Sequence, residues 1–219
     1  MQVFIDFETL GRRGQAFAGT MLAPDGTILF RGWYHSPELA ADSWLQANVV
    51  PHVGGTKYAN DREFFAAFAS AWKTAKDLYG VFGFGGKTLA AVAHMGSPVE
   101  SGMFAELYRR GLIGEFDGPY PLMDTAPLLF AAGYAPDSEV KFAQARGILP
   151  AGHNSHCDLD DCRLTRLVWQ QLTEVCLPAP VVRATQRWTP PEQPDGVCPE
   201  GYMPNGNGSF KPVSEYYTD

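Results

Sequence analysis

Asp6 and Glu8, in the opening run QVFIDFETLG, constrain what this chain can fold into more than any other feature. The run has the aromatic and β-branched content of a strand, and side chains two apart on a strand share a face. Val3, Ile5 and Phe7 therefore face one way, and Phe4, Asp6 and Glu8 the other. Two carboxylates on one face of a first strand are costly to bury unless cations or hydrogen bonds compensate them. A solvated strand face accounts for most isolated Asp-x-Glu triplets. Hard oxygen ligands so placed also suit Mg²⁺ or Mn²⁺.

Two further strand-like runs, about 15–23 and 27–35, flank the turn signal Asp25-Gly26, so the opening reads as three antiparallel strands. Residues 36–60 lack periodicity and read as a loop-rich insertion. A helix starts near Asn60, with Glu63 as capping-box partner and Phe64, Phe68, Ala71 and Trp72 on its apolar face. Residues 88–94 read as a buried strand. Ser97-Pro98-Val99-Glu100 reads as a helix start with proline first and Ser97/Glu100 as a capping box, and Gly111 ends that helix. Further helices are expected around 124–132 and 139–146. The last runs from about 157 to 175, with Leu164, Val168, Leu172 and Val175 on one face. The order fits a mixed sheet with helices packed on its faces.

After Cys176 the composition shifts: eight of the 17 prolines lie in 177–219, with the Gly/Asn-rich run Asn205–Ser209. This divides the chain into a domain over 1–176 and a tail over 177–219. Aromatic residues Trp188, Tyr202, Phe210, Tyr216 and Tyr217 either drape the tail over the domain or leave it partly disordered.

The net charge of −7 argues against a broad basic surface that coats nucleic acid, but not against a pocket in which metal ions supply positive charge. No membrane span and no signal peptide are visible. Cys157, Cys162, Cys176 and Cys198 show no zinc-site spacing and read as reduced thiols of a cytoplasmic protein. Gly83–Thr88 imitates a phosphate loop, but position 81 is Val81 where glycine is required.

The second acidic piece is His156-Cys-Asp-Leu-Asp-Asp161. Asp161 shares a helical stripe with Leu164 and Val168, and an acid on a core-facing stripe needs a reason. Asp158 and Asp160 fall off that stripe and read as solvated or capping groups.

Asp6-Phe7-Glu8-Thr9 resembles the first motif of the DEDDh exonucleases, the superfamily of proofreading subunits, RNase T and oligoribonuclease. His156, four intervening residues and Asp161-Cys-Arg-Leu-Thr165 resemble the third. Val92-Ala-His94 followed by Glu100, Phe104 and Leu107 resembles the second in position, with glutamate where the family carries aspartate. His153 and Asp158 have the same spacing as His156 and Asp161. The later pair is preferred, because Asp-Cys-Arg-Leu-Thr follows the family pattern.

The resemblance covers about residues 1–176 and implies an RNase H-like α/β fold. That fold has three antiparallel N-terminal strands, parallel strands beyond them, and helices on both faces. It implies two divalent ions, Mg²⁺ or Mn²⁺, held by Asp6, Glu8, Glu100 and Asp161. His156 would be the general base, and Thr9 and Leu10 would touch the terminal ribose and base. The partner would be nucleic acid with a free 3′ end, DNA or RNA, hydrolysed 3′→5′ to nucleoside monophosphates. Cys157 stands where a tyrosine subclass would carry tyrosine. The alternative is a catalytically impaired relative that binds nucleic-acid ends or a protein. Asp124, after Leu122-Met123, reads as a helix cap.

Overall fold

A computed structural model describes residues 1–11, 14–83, 86–176, 202–204 and 210–212. β1 (Gln2–Thr9), β2 (Ala16–Leu22) and β3 (Ile28–Tyr34) pair antiparallel. The β2–β3 turn forms at Asp25-Gly26: the Asp25 carboxylate accepts from the Thr27 N–H at 2.9 Å, and Gly26 takes φ +93°.

The 36–60 region is not loop-rich. It contains α1 (Pro37–Ala41), α2 (Ser43–Asn48) and β4 (Thr56–Tyr58), which adds parallel to β3. Ser36 caps α1 by accepting from Leu39 N–H, and Asp42 caps α2 by accepting from Trp44 and Leu45 N–H. Each short helix buries a single leucine, Leu39 or Leu45, so no period could accumulate in the sequence.

α3 (Asp61–Tyr79) is capped by Asn60 and buries Phe64, Phe68 and Trp72. Burying each of these contributes roughly 1.5–3 kcal/mol. The glycine-rich run that follows forms β5 (Val81–Gly83) and β6 (Gly86–Thr88), paired antiparallel, with Lys87 donating to the Asp77 carbonyl. The strand read at 88–94 is shorter, β7 (Ala90–Ala93), because Gly86–Thr88 belongs to the hairpin.

α4 (Val99–Arg109) departs from the capping-box reading. Pro98 itself is the N-cap, no side chain caps the helix, and Glu100 sits in its first turn without serving as a cap partner. β8 (Leu122–Asp124) and α5 (Thr125–Ala131) follow, with Asp124 capping α5. α6 (Glu139–Arg146) and α7 (Asp158–Cys176) complete this part of the chain.

The sheet order is β4-β3-β2-β1-β7-β8, with β7 parallel to both β1 and β8. This is the mixed α/β sheet expected, with helices on both faces. Val3, Ile5 and Phe7 pack with α3 and α4, while Phe4, Leu22 and Val92 pack with Leu159 and Cys162 of α7. Phe7 fits because its strand neighbour is Gly19; a Cβ there would lie 2.2 Å from the Phe7 ring.

α7 buries two stripes. Leu159 and Cys162 meet the sheet, and Leu164, Val168 and Leu172 meet Leu129 of α5 and Phe142 of α6. The stripe that carries Asp161 therefore faces α5 and α6 over most of its length.

Contacts divide the chain into Met1–Ala179 and Pro180–Asp219. In the second unit β9 (Tyr202–Pro204) and β10 (Phe210–Pro212) form an antiparallel pair. The expectations for the side chains of Val175, Cys176, Trp188, Cys198, Tyr202, Phe210, Tyr216 and Tyr217 lie outside the described residues. Cys157 and Cys162 are free thiols. Among the described residues no helix is long and apolar enough to cross a membrane.

Candidate functional site

β1 lies inside the sheet, between β2 and β7, so the face bearing Asp6 and Glu8 is overlain by α7. A register shift between Glu8 and Thr9 ends the regular pairing with β2. Such irregularities re-aim side chains at the end of a strand. Oxygens of Asp6, Glu8 and Asp161 lie within 4.8 Å of one another. Asp161 thus meets residues 153 and 155 positions away in sequence in one acidic cluster. Oxygens sharing an ion held at about 2.1 Å stand no more than about 4.2 Å apart, a side-chain rotation away from this arrangement.

Glu100 approaches from the first turn of α4 and is 3% exposed. Its Oε2 has no hydrogen-bond partner. A buried carboxylate oxygen without a partner calls for a counterpart such as an ion.

The electrostatics agree with the crowding. Burial holds Asp6 well above the usual carboxylate range, and the charges of Glu8, Asp161 and Glu100 add to the effect. Burial also lifts Glu8 to about 7, with Asp161 and Asp158 contributing. Glu100 rises to about 8 through burial, opposed by hydrogen bonding from the backbone of Glu100 and Phe7. Asp161 rises to about 6, again through burial, opposed by the His156 N–H and the His153 charge. Hard oxygen donors that repel one another in this way are a chemical fit for divalent cations.

The loop before α7 places the two histidines differently. His156 is exposed, takes φ +67°, and packs its ring edge against Trp44 at 5.4 Å between centroids. Its backbone N–H, turned inward by this left-handed conformation, donates to Asp161 Oδ2 at 2.8 Å. His153 carries the inward imidazole: its side chain is 5% exposed and Nε2 lies 3.5 Å from Asp161 Oδ1. The ring beside Asp161 is thus that of His153, whereas His156 reaches Asp161 through its backbone N–H.

Asp158 corrects the expectation that it is solvated or capping. It is fully buried, accepts from Thr20 Oγ1 at 2.5 Å, and pairs with Arg31 through Nη2 at 3.0 Å and Nε at 3.2 Å. Its counter-ion comes from β3, which no periodicity on α7 can reveal. Asp160 lies 3.6 Å from Arg163 on its own helix.

Thr9 donates to the Gly11 carbonyl at 2.7 Å. Leu10 lines a cavity of about 490 Å³ with Gln15, Tyr34, Ser36 and Asn60. Gln15 also borders a second cavity of about 430 Å³ against Val99, Met103 and Arg109. Asp6, Glu8, Glu100 and Asp161 line neither cavity, and of Thr9 and Leu10 only Leu10 borders one. Asp124 holds the turn after β7 as well as α5, accepting from the Met95 and Gly96 N–H groups.

Sequence reasoning missed a buried network behind Asp161. Glu139 accepts from Thr125 at 3.2 Å and from Thr165 at 3.1 Å, and His94 Nδ1 lies 2.8 Å from Thr125 Oγ1. Burial lifts Glu139 to about 8 despite those two bonds. The signal was available: Glu139 precedes Phe142 by three and Ala143 by four, so it sits on the buried stripe of α6. Compared with family models and with curated proteins, the chain matches none.

Proposed function

We propose that this chain is a metal-dependent 3′→5′ exonuclease that hydrolyses phosphodiester bonds at nucleic-acid ends. The observation that carries the reading is the convergence of Asp6, Glu8 and Asp161 within 4.8 Å; Glu100, whose buried Oε2 has no partner, lies outside that group but near enough for its charge to raise Asp6. The resemblance of these positions to DEDDh motifs supplies the direction of cleavage. Asp6, Glu8, Glu100 and Asp161 would hold two divalent cations, Mg²⁺ or Mn²⁺. When bound, such ions polarise a phosphodiester, activate water and stabilise the leaving oxygen.

The protein's own part is positional. β1 and α7 hold three carboxylates rigidly across the sheet face, and the His156 N–H fixes the Asp161 carboxylate. By the resemblance His156 would be the general base, and its ring is exposed to solvent. By the resemblance Leu10 and Thr9 would meet the terminal base and sugar. Binding one strand end in a cleft needs no broad basic surface, which agrees with a net charge of −7.

The test is incubation of metal-stripped protein with 3′-labelled and 5′-labelled DNA and RNA oligonucleotides, with Mn²⁺, Mg²⁺ or EDTA. Stepwise shortening of the 5′-labelled strand, with early release of the 3′ label, is expected in Mn²⁺ and absent in EDTA. Cleavage that persists in excess EDTA, or that begins inside a circular single strand, overturns the reading.

A further inference from the structure

Among the described residues, three buried side-chain polar atoms lack a hydrogen-bond partner: Glu100 Oε2 and both ring nitrogens of His153. A buried imidazole with both nitrogens idle requires a partner that the neighbouring chain does not supply. Its nearest charged neighbour is informative. Nε2 lies 3.5 Å from Asp161 Oδ1, longer than an ordinary N–H···O bond. Two donors held about 2.1 Å from one ion stand about 3.0–3.5 Å apart when they subtend roughly 90–113°.

The local chain is built for this placement. Gly152 adopts φ +75°, and the His153 N–H donates to the Pro150 carbonyl at 3.1 Å, closing a turn that sends the ring inward. His156, three residues on, points outward against Trp44.

We propose that His153 is a ligand of the metal centre, donating Nε2 to the ion held by Asp161. The assignment rests on the metal-dependent reading of the carboxylate cluster. It makes the centre a mixed carboxylate–imidazole site. A transition ion such as Mn²⁺ accepts an imidazole nitrogen more readily than Mg²⁺, which takes oxygen donors, so of these two ions the site favours Mn²⁺.

The experiment loads metal-stripped full-length protein with substoichiometric Mn²⁺ and reads nitrogen coupling by pulsed electron paramagnetic resonance. Directly bound ¹⁴N should couple to Mn²⁺ in wild type and in His156→Ala, and should vanish in His153→Ala. His153→Gln, which keeps a polar side chain of similar size, serves where the alanine variant does not fold. Either variant should weaken Mn²⁺ binding by at least ~10-fold, with a smaller effect on Mg²⁺. Tight Mn²⁺ binding by wild type without ¹⁴N coupling, or coupling lost in His156→Ala instead, overturns the assignment while leaving the metal site standing. Asp6→Asn separates the two ideas: if it binds Mn²⁺ as tightly as wild type, the carboxylate cluster is not the metal site.

Discussion

Asp158 and Asp161 lie one helical turn apart on α7, yet their surroundings assign them opposite roles. Replacing each separates structure from chemistry. Asp158 is buried against Arg31 at 3.0 Å. At an effective dielectric near 20, unit charges at that distance attract by about 5.5 kcal/mol. The net worth of the pair is smaller, because desolvation opposes it. Removing one partner from a buried pair typically costs about 3–5 kcal/mol. Arg31 keeps 20% of its side chain exposed, so a freed guanidinium recovers some hydration and the lower part of that range applies. Asp158→Ala also removes the acceptor of Thr20, a loss of about 1 kcal/mol.

For a domain of this size, 1 kcal/mol shifts Tm by about 2–4 °C. Asp158→Ala should therefore lower the metal-free Tm by roughly 8–16 °C. Asp161→Asn removes a charge from a repulsive cluster and keeps an acceptor for the His156 N–H, so its Tm should equal or exceed that of wild type. Its Mn²⁺ binding and cleavage should nevertheless be lost. Thermal melts in EDTA and titration calorimetry with Mn²⁺ measure both quantities. An Asp158→Ala protein that melts within about 2 °C of wild type but no longer binds Mn²⁺ would refute the assignment, because the buried pair would then not be what holds α7.

Metal-free protein should lose stability as pH rises from about 5 to about 8. Glu8, Glu100 and Asp161 are all raised by burial, so the folded chain keeps protons that the unfolded chain releases, and unfolding becomes easier as they are lost. Mn²⁺ at pH 8 should restore the lost Tm by binding only the folded state, and a pH-independent melt without metal would contradict this. Glu100→Gln should cut cleavage by orders of magnitude without lowering Tm, since Glu100 caps nothing; nuclease assays beside melting curves decide it. Glu139→Gln should reduce the alkaline decline of Tm, because it removes a carboxyl held at about 8 while leaving an acceptor for one of the two threonines. An unchanged pH slope in that variant would place the proton elsewhere.

What the sequence determined by itself is local. Alternation along 2–8 separates Val3, Ile5 and Phe7 from Asp6 and Glu8, and the apolar residues of β1 divide between two core clusters accordingly. The Asp25-Gly26 turn, the Asn60 cap and the span of α6 are equally legible, because each depends on residues within a few positions. An acid on an apolar helical stripe also marks Asp161; Glu139 lies on such a stripe of α6 but was not read from it. Tertiary structure alone decided which partners those acids meet. Arg31 and Asp158 are 127 residues apart, and Thr20 and Asp158 are 138 apart, so no periodicity on α7 could expose the pair. The Pro98 cap replaced an apparent capping box, and Glu100 is buried in the first turn of α4 without serving as a cap partner. Which of the two rings, His153 or His156, turns inward depended on loop backbone: a turn closed on Pro150 sends one ring inward, while a left-handed residue turns the other ring outward and its N–H inward. Charge and hydrogen-bond partners are chosen across the sheet, where separation along the chain carries no information about distance in space.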